Sequence, residues 1–308
     1  MAWITDLGPS AAQVEYRLRG SAICDRRHSL AGIPHPVRAY RNTPGGEDDY
    51  GLLCEEEPTW FGSPLSSLGL VPGSRLTPAQ HQAASALMSG RHPATGRRLL
   101  AAADRTRNRG FEITLAQPPS VSTLHALGRP DVAASVIELV AQAVMDTATH
   151  LEKKITAHSR RAGLMGWIIW HRTTPPLTGA PPRPCLHAHL VIAALMRAPD
   201  GEWADITGAS RRALHECVEA ADAYAMDRVR HLLTEHHGVS WERDWRTGRW
   251  EIASASADLY ESSPRQPSGL WPEHRVSADD SRCSSAVQAR GHSSTARALA
   301  WTVDRASG

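Results

Sequence analysis

Phenylalanine is nearly missing from this 308-residue chain: two occur, against ten tryptophans and sixteen histidines. No window approaches eighteen unbroken apolar residues, so no membrane span is expected. The opening MAWITDLGPS lacks both a basic segment and a long apolar one, so no signal peptide is expected either. Five cysteines, at 24, 54, 185, 217 and 283, make an odd number with no C-x-x-C. That argues against a disulfide framework and against a cysteine zinc knuckle. Neither sign of charge dominates, with 34 basic and 32 acidic side chains. A polycation would declare nucleic-acid binding by composition; here such contacts must come from local patches. The expected location is the cytoplasm.

Apolar residues make up 41% of the chain, enough for a core. Trp3–Asp6 reads as a strand and Ala11–Arg19 as a helix that carries Tyr16. Residues 20–58 are irregular, rich in Pro, Gly and acidic clusters. Thr77-Pro78 starts a helix that Gly90 ends. Arg91–Arg109 holds six arginines and one acid, Asp104, either a solvated face or a phosphate-contacting loop. Strands are expected at Phe111–Ala116, Gly166–His171 and Leu186–Leu195, and long helices at Val132–Lys154 and Ser210–His237. Val239–Arg243 and Arg249–Ile252 read as a hairpin across Thr247-Gly248. Residues 1–253 are expected to form one domain. The serine-rich stretch 254–308 reads as a poorly packed or aberrant tail.

The densest chemical signal is Cys185-Leu-His-Ala-His-Leu-Val-Ile-Ala193. Side chains alternate along a strand, so His187 and His189 share a face, about 6.5–7 Å apart. If the strand ending at His171 pairs antiparallel with this one, His171 becomes a third ligand for one metal ion. Neutral imidazoles suit Zn, Mn, Ni or Co, and three protein ligands leave positions open for substrate. A metalloprotease is excluded because His215-Glu216 has no histidine at 219. A zinc deaminase is excluded by the missing C-x-x-C.

Five segments, in order, resemble the TrwC-type (MobF) conjugative relaxases of the HUH endonuclease group. Trp60-Phe-Gly-Ser-Pro is similar to that family's W-x-G segment, and Ser89-Gly-Arg-His-Pro-Ala-Thr-Gly to its G-x-x-P-x-T-G. Gly110-Phe-Glu-Ile-Thr-Leu-Ala-Gln-Pro-Pro-Ser-Val-Ser resembles G-x-D-x-T-F-S-x-P-K-S-V-S. His171-Arg-Thr-Thr with Leu186-His-Ala-His resembles H-x-T-S-R … L-H-x-H, and Gly238-Val-Ser-Trp with Gly248-Arg-Trp-Glu-Ile the closing segment. The resemblance implies a relaxase: strand-specific nicking of single-stranded DNA at a transfer origin through a phosphotyrosine link, followed by rejoining. It implies a divalent metal (Mg, Mn or Zn) on His171, His187 and His189, with Tyr16 as nucleophile and Tyr40 as the second candidate. Glu112 falls where the family has an aspartate that orients a ligand histidine and helps deprotonate the tyrosine. Accessory conjugation proteins are implied as partners.

The chain also departs from the pattern. Pro119 stands for a lysine, Arg183 for an aspartate, Leu115 for a phenylalanine, and no Walker-type loop follows. The expected fold is α+β: a mostly antiparallel central sheet with flanking helices, histidines on one face, Tyr16 carried over them. Arg97, Arg98, Arg107, Arg109 and Arg172 are the expected DNA contacts, with Trp60 and Trp203 as base-stacking candidates and Trp167 and Trp170 as core. The competing reading is a truncated or degenerate relaxase that binds single strands without cutting them.

Overall fold

The computed structural model describes residues 2–18, 58–100, 108–159, 163–173, 184–198, 200–253 and 259. All belong to one unit, Met1–Gln266. Tyr40, Arg107 and, apart from Leu259, the expected tail lie outside them; of Tyr16 the backbone alone is described.

Five strands form the central sheet: β1 (Ala2–Asp6), β2 (Thr59–Phe61), β3 (Gly110–Ala116), β4 (Gly166–Thr173) and β5 (Pro184–Ala193). Their order is β1-β3-β5-β4-β2, and each neighbouring pair is antiparallel. Two ribbons stand apart, β6 (Leu195–Arg197) with β7 (Trp203–Asp205) and β8 (Trp241–Arg243) with β9 (Trp250–Ile252). The helices are α1 (Ala11–Leu18), α2 (His81–Met88), α3 (Pro119–Leu127), α4 (Pro130–Ser159), α5 (Gly208–Glu216) and α6 (Val218–His237). This is the α+β architecture expected.

The two sheet faces serve different cores. Leu186, Ala188, Leu190 and Ile192 of β5 join Phe111, Ile113 and Leu115 of β3 in a core shared with α3, α4 and α6. On the other face, Val191, Ala193, Trp167 and Ile169 pack with Val14 and Leu18 of α1 and Leu87 of α2. That second core covers one end of the face. Val132, Val136, Val140, Val144, Ala148, Leu151 and Ile155 recur every three or four residues along α4 and form its buried stripe. Pro130–Thr156 is long and apolar enough to cross a membrane by composition. Its apolar stripe lies against the sheet and α6, which accounts for that composition.

Several expectations need correction. The strand expected to run to Leu195 breaks at Ala194: its N–H still donates to the Arg109 carbonyl in register with β3, but its carbonyl accepts the Ile206 N–H, and the chain passes into the β6–β7 ribbon. The expected Ser210–His237 helix is two helices meeting at Cys217. Helix α3 was not expected; Pro118-Pro119 obscures it, although proline fits a helix's first turn. Cys185 is disulfide-bonded, against the expectation from the odd cysteine count, while Cys217 is a buried thiol.

Gly166 shows how tightly β4 and β5 are pressed together. A Cβ there would lie 1.8 Å from the Val191 carbonyl oxygen, which is backbone and cannot swing away. Gly73 has φ +82° but open space around it. Gly166→Ala is therefore expected to destabilise by about 3 kcal/mol. Gly73→Ala should cost about 1 kcal/mol from backbone strain alone. Urea unfolding of both variants checks the order, and equal costs would refute it.

Candidate metal centre

The site grows from the alternation on β5. His187 and His189 are two residues apart, so they leave the same face, opposite to Leu186, Ala188 and Leu190. His171 pairs directly with His187 across β4 and β5 and leaves the same face as Trp167 and Ile169. The pairing register shifts between His171 and Thr173, so the strand bends just after the third histidine. The rings come together: centroids are 5.2 Å apart for His171 and His187, 4.9 Å for His171 and His189, and 5.0 Å for His187 and His189.

Each strand histidine has a fixed outer partner. Nδ1 of His187 lies 2.8 Å from the Cys185 carbonyl, which can only accept, so this nitrogen donates. Nδ1 of His189 lies 2.5 Å from Oε1 of Glu112 and 3.1 Å from the Thr114 hydroxyl. A carboxylate also accepts, so His189 donates from Nδ1. In the neutral form of either ring Nε2 then keeps its lone pair, the arrangement metal-ligating histidines use. Burial, followed by the neighbouring His189, pushes His187 down to about 3. Burial likewise holds His171 well below the usual histidine range. Both rings are therefore neutral near pH 7, the form that donates to a cation.

Glu112 is the hinge of the site. Burial opposes its ionisation, but the His189 imidazole and the Arg17 guanidinium outweigh that and lower it to about 2. Oε1 takes His189; Oε2 takes both Nε and Nη2 of Arg17. Arg17 sits in the last turn of α1, and its Nη1 also donates to the Gln13 carbonyl and side-chain oxygens, at 2.9 and 2.8 Å. A single carboxylate thus ties the helix that carries Tyr16 to a histidine of the cluster.

The expected arginines do not converge there. Arg97 and Arg98 are exposed and, with His92, Arg197 and Trp203, line a cavity of about 470 Å³ that includes none of the three histidines. Arg109 is engaged in the fold: its Nε and Nη1 donate to the Pro9 carbonyl and the Ser89 hydroxyl, each at 2.6 Å. Arg172 is half-buried beside His171 on β4. Trp60 is fully buried and packs edge-on against Trp167, ring centres 6.0 Å apart, so it belongs to the core rather than to a stacking platform. Trp167 and Trp170 are core, as expected. Trp203 is half-buried with Arg197 5.9 Å from its ring centre. Sequence reasoning missed Arg17 and Thr114. Their only signal is position, one beside the candidate tyrosine and the other two residues after Glu112 on the same strand face.

Comparison with known proteins identifies the family. A sequence model of the TrwC relaxase family matches residues 35–268. The chain belongs to the TrwC relaxase family. Three solved structures share its fold. A metal-bound conjugative relaxase TrwC in complex with oriT DNA is 19% identical, covering 82% of this chain and 75% of that one, with TM-score 0.52. TrwC with a 27-mer DNA comprising the recognition hairpin and the cleavage site gives the same identity and coverage with TM-score 0.53. TrwC in complex with mutant oriT DNA is 20% identical over 80% of this chain and 86% of that one, with TM-score 0.50. At such identities the likeness establishes the fold. No curated protein matches the chain.

Glu112→Gln is expected to weaken binding of cobalt(II), read by its visible spectrum without DNA, by about 10- to 100-fold. It should also change the acid limb of stability. A carboxylate lowered from 4.5 to about 2 stabilises the fold above pH 4.5, and that contribution fades as pH falls toward 2. Between pH 5 and 2 the variant should therefore lose less stability than the parent. Parallel acid limbs in urea unfolding would contradict this account of Glu112.

Proposed function

We propose that this chain is a metal-dependent DNA relaxase that nicks one phosphodiester of single-stranded DNA at a transfer origin and later rejoins it. The observation that carries the reading is the cluster of His171, His187 and His189, with His187 and His189 turned by their Nδ1 partners so that Nε2 is available. Rings bonded to one ion through nitrogens about 2.1 Å away have centres roughly 5 Å apart, in line with the observed separations. Among the described residues no group of three or more His, Cys, Asp or Glu stands in closed ligand geometry. The planes of His171 and His187 lie only 15° apart, stacked rather than fanned. Closing on an ion requires a side-chain rotation, and the sheet already supplies the backbone spacing. The donor set therefore fits a divalent cation such as Mn, Mg or Zn, which when bound would neutralise charge building on the scissile phosphate.

Tyr16 is our choice of nucleophile. It lies on α1, one residue before Arg17, whose guanidinium reaches Glu112. Its phenol oxygen would form the new bond to phosphorus while the bond to the 3′ oxygen breaks, and the phenol proton ends on that 3′ hydroxyl. One phosphodiester is exchanged for another, so the strand can be rejoined by the reverse step with no energy source. A phenol titrates near 10 and needs assistance at neutral pH. Glu112 is a poor base for it, since the carboxylate is held at about 2 with both oxygens engaged. Its role is to fix the His189 tautomer. The cytoplasm, where such DNA is accessible, is the proposed location.

The competing reading, a strand-binding remnant without chemistry, draws support from the unclosed ring geometry. One assay separates the two. The protein is incubated with manganese and a pool of single-stranded oligonucleotides, and adducts resistant to SDS are analysed by peptide mass spectrometry. The relaxase reading expects DNA on the Tyr16 peptide, lost in Tyr16→Phe and retained in Tyr40→Phe. An adduct on Tyr40 would reassign the nucleophile, and no adduct with any metal would favour the remnant.

A further inference from the structure

Three large apolar side chains are exposed among the described residues: Val71, Leu127 and, at 89%, Trp245. Trp245 stands at the turn between β8 and β9, in the sequence Trp241-Glu-Arg-Asp-Trp-Arg-Thr-Gly-Arg-Trp-Glu-Ile252. That turn is built. Oδ1 of Asp244 accepts the N–H groups of Arg246 and Thr247, at 2.7 and 3.1 Å. The Asp244 carbonyl accepts from Gly248 at 2.8 Å, and the Asp244 N–H donates to the Arg249 carbonyl at 2.8 Å. Gly248 supplies the left-handed φ of 68° that the return needs.

The ribbon is anchored too. Trp250 lies under the Arg230 guanidinium, 3.9 Å from its ring centre, with Arg243 at 5.3 Å. Glu251 Oε2 accepts the Ser120 N–H and hydroxyl, at 3.0 and 2.5 Å. Ser120 follows β3 by four residues, and Ala116 at the end of β3 pairs with His187. The ribbon is thus fixed at the end of the sheet that carries the histidines. Two of its acids are occupied in its own architecture: Asp244 closes the turn and Glu251 binds Ser120. Arg243 and Arg246 are exposed on either side of Trp245, as is the third acid, Glu242.

We propose that the β8–β9 ribbon is a second contact for single-stranded DNA, Trp245 stacking on a base and Arg243 and Arg246 meeting flanking phosphates. The proposal rests on the relaxase reading and extends it to a surface outside the histidine cluster. Stacking needs one aromatic face and is tolerant of base identity. The core of a protein interface or an amphipathic membrane anchor needs several apolar side chains, and the turn from Asp244 to Gly248 has only this one.

The test uses the full chain and a fluorescein-labelled oligo-dT of about 40 nucleotides, read by anisotropy. Trp245→Ala is expected to weaken binding by about tenfold, while Trp245→Phe stays within about threefold of the parent. Arg243→Ala with Arg246→Ala should lower the slope of log affinity against log salt by about 0.7 per arginine. Parent-like affinity in Trp245→Ala overturns the proposal, as does a Trp245→Phe variant as weak as the alanine. Failure of the parent protein to bind the oligonucleotide would sink the relaxase reading along with it. Adduct formation by the parent protein at saturating DNA scores the nicking chemistry separately.

Discussion

From Cys185 to Ala193 every side chain of β5 is buried, and its two faces are used for different purposes. One face is wholly apolar and fixes the strand against α3 and α4. The other runs from Cys185 through two histidines to Val191 and Ala193 under α1 and α2. Period-two alternation makes these demands inseparable: a one-residue slip would drive both imidazoles into the helical core and lift Leu190 out of it. The apolar face thus holds the histidines in register. Pairing with β4 places His171 opposite His187, and pairing with β3 places Thr114 opposite His189. The cluster is a consequence of strand register rather than of a loop folded around a ligand.

Glu112 connects this sheet to helix α1. It pairs across to Val191, where the covered half of the face gives way to the histidine half. One carboxylate oxygen faces each side of that boundary, toward His189 and toward Arg17 of α1. A buried carboxylate is costly unless both oxygens are satisfied, and removing one partner leaves a charge with too little compensation. Docking of α1 and orientation of His189 are therefore coupled through the same charge. Glutamate is one methylene longer than the aspartate that the family pattern led us to compare it with. That length accompanies a bridge that spans from β3 to a helix as well as along the sheet.

The strands and the histidine cluster were largely legible because period-two alternation is local. Leu-His-Ala-His-Leu announces two faces whatever surrounds it. The pairing of His171 with His187 was legible as a condition: it followed if the two strands ran antiparallel, and they do. What failed to show had non-local causes. Trp60 looks like any tryptophan near a glycine, and only its contact with Trp167, more than a hundred residues away, makes it core. Arg17 belongs to a helix end where basic residues are commonplace, and its partner is 95 residues distant. The break at Ala194 accompanies its carbonyl's bond to the Ile206 N–H, again a group outside the strand. The arginine run from 91 to 109 was read as one surface, yet Arg109 is engaged at Pro9 and Ser89 while Arg97 and Arg98 border a separate cavity.

Near-neutral net charge also becomes intelligible at this level. A DNA enzyme with 34 basic and 32 acidic side chains looks unpromising if charges are simply counted. In the fold, several acids are committed to internal partners: Glu112 to Arg17 and His189, Asp6 to Arg211, Asp146 to Arg228, Glu152 to Ser63, Glu251 to Ser120. The three paired with arginine contribute little to the field that an incoming strand meets, because the opposite charge compensates them at short range. Arg97, Arg98, Arg243 and Arg246 meanwhile lie at the surface. The potential beyond a Debye length is close to that of a neutral protein, so long-range steering of DNA is weak. Affinity must then come from contacts within a few ångströms, which favours stacking and paired phosphate contacts over diffuse attraction.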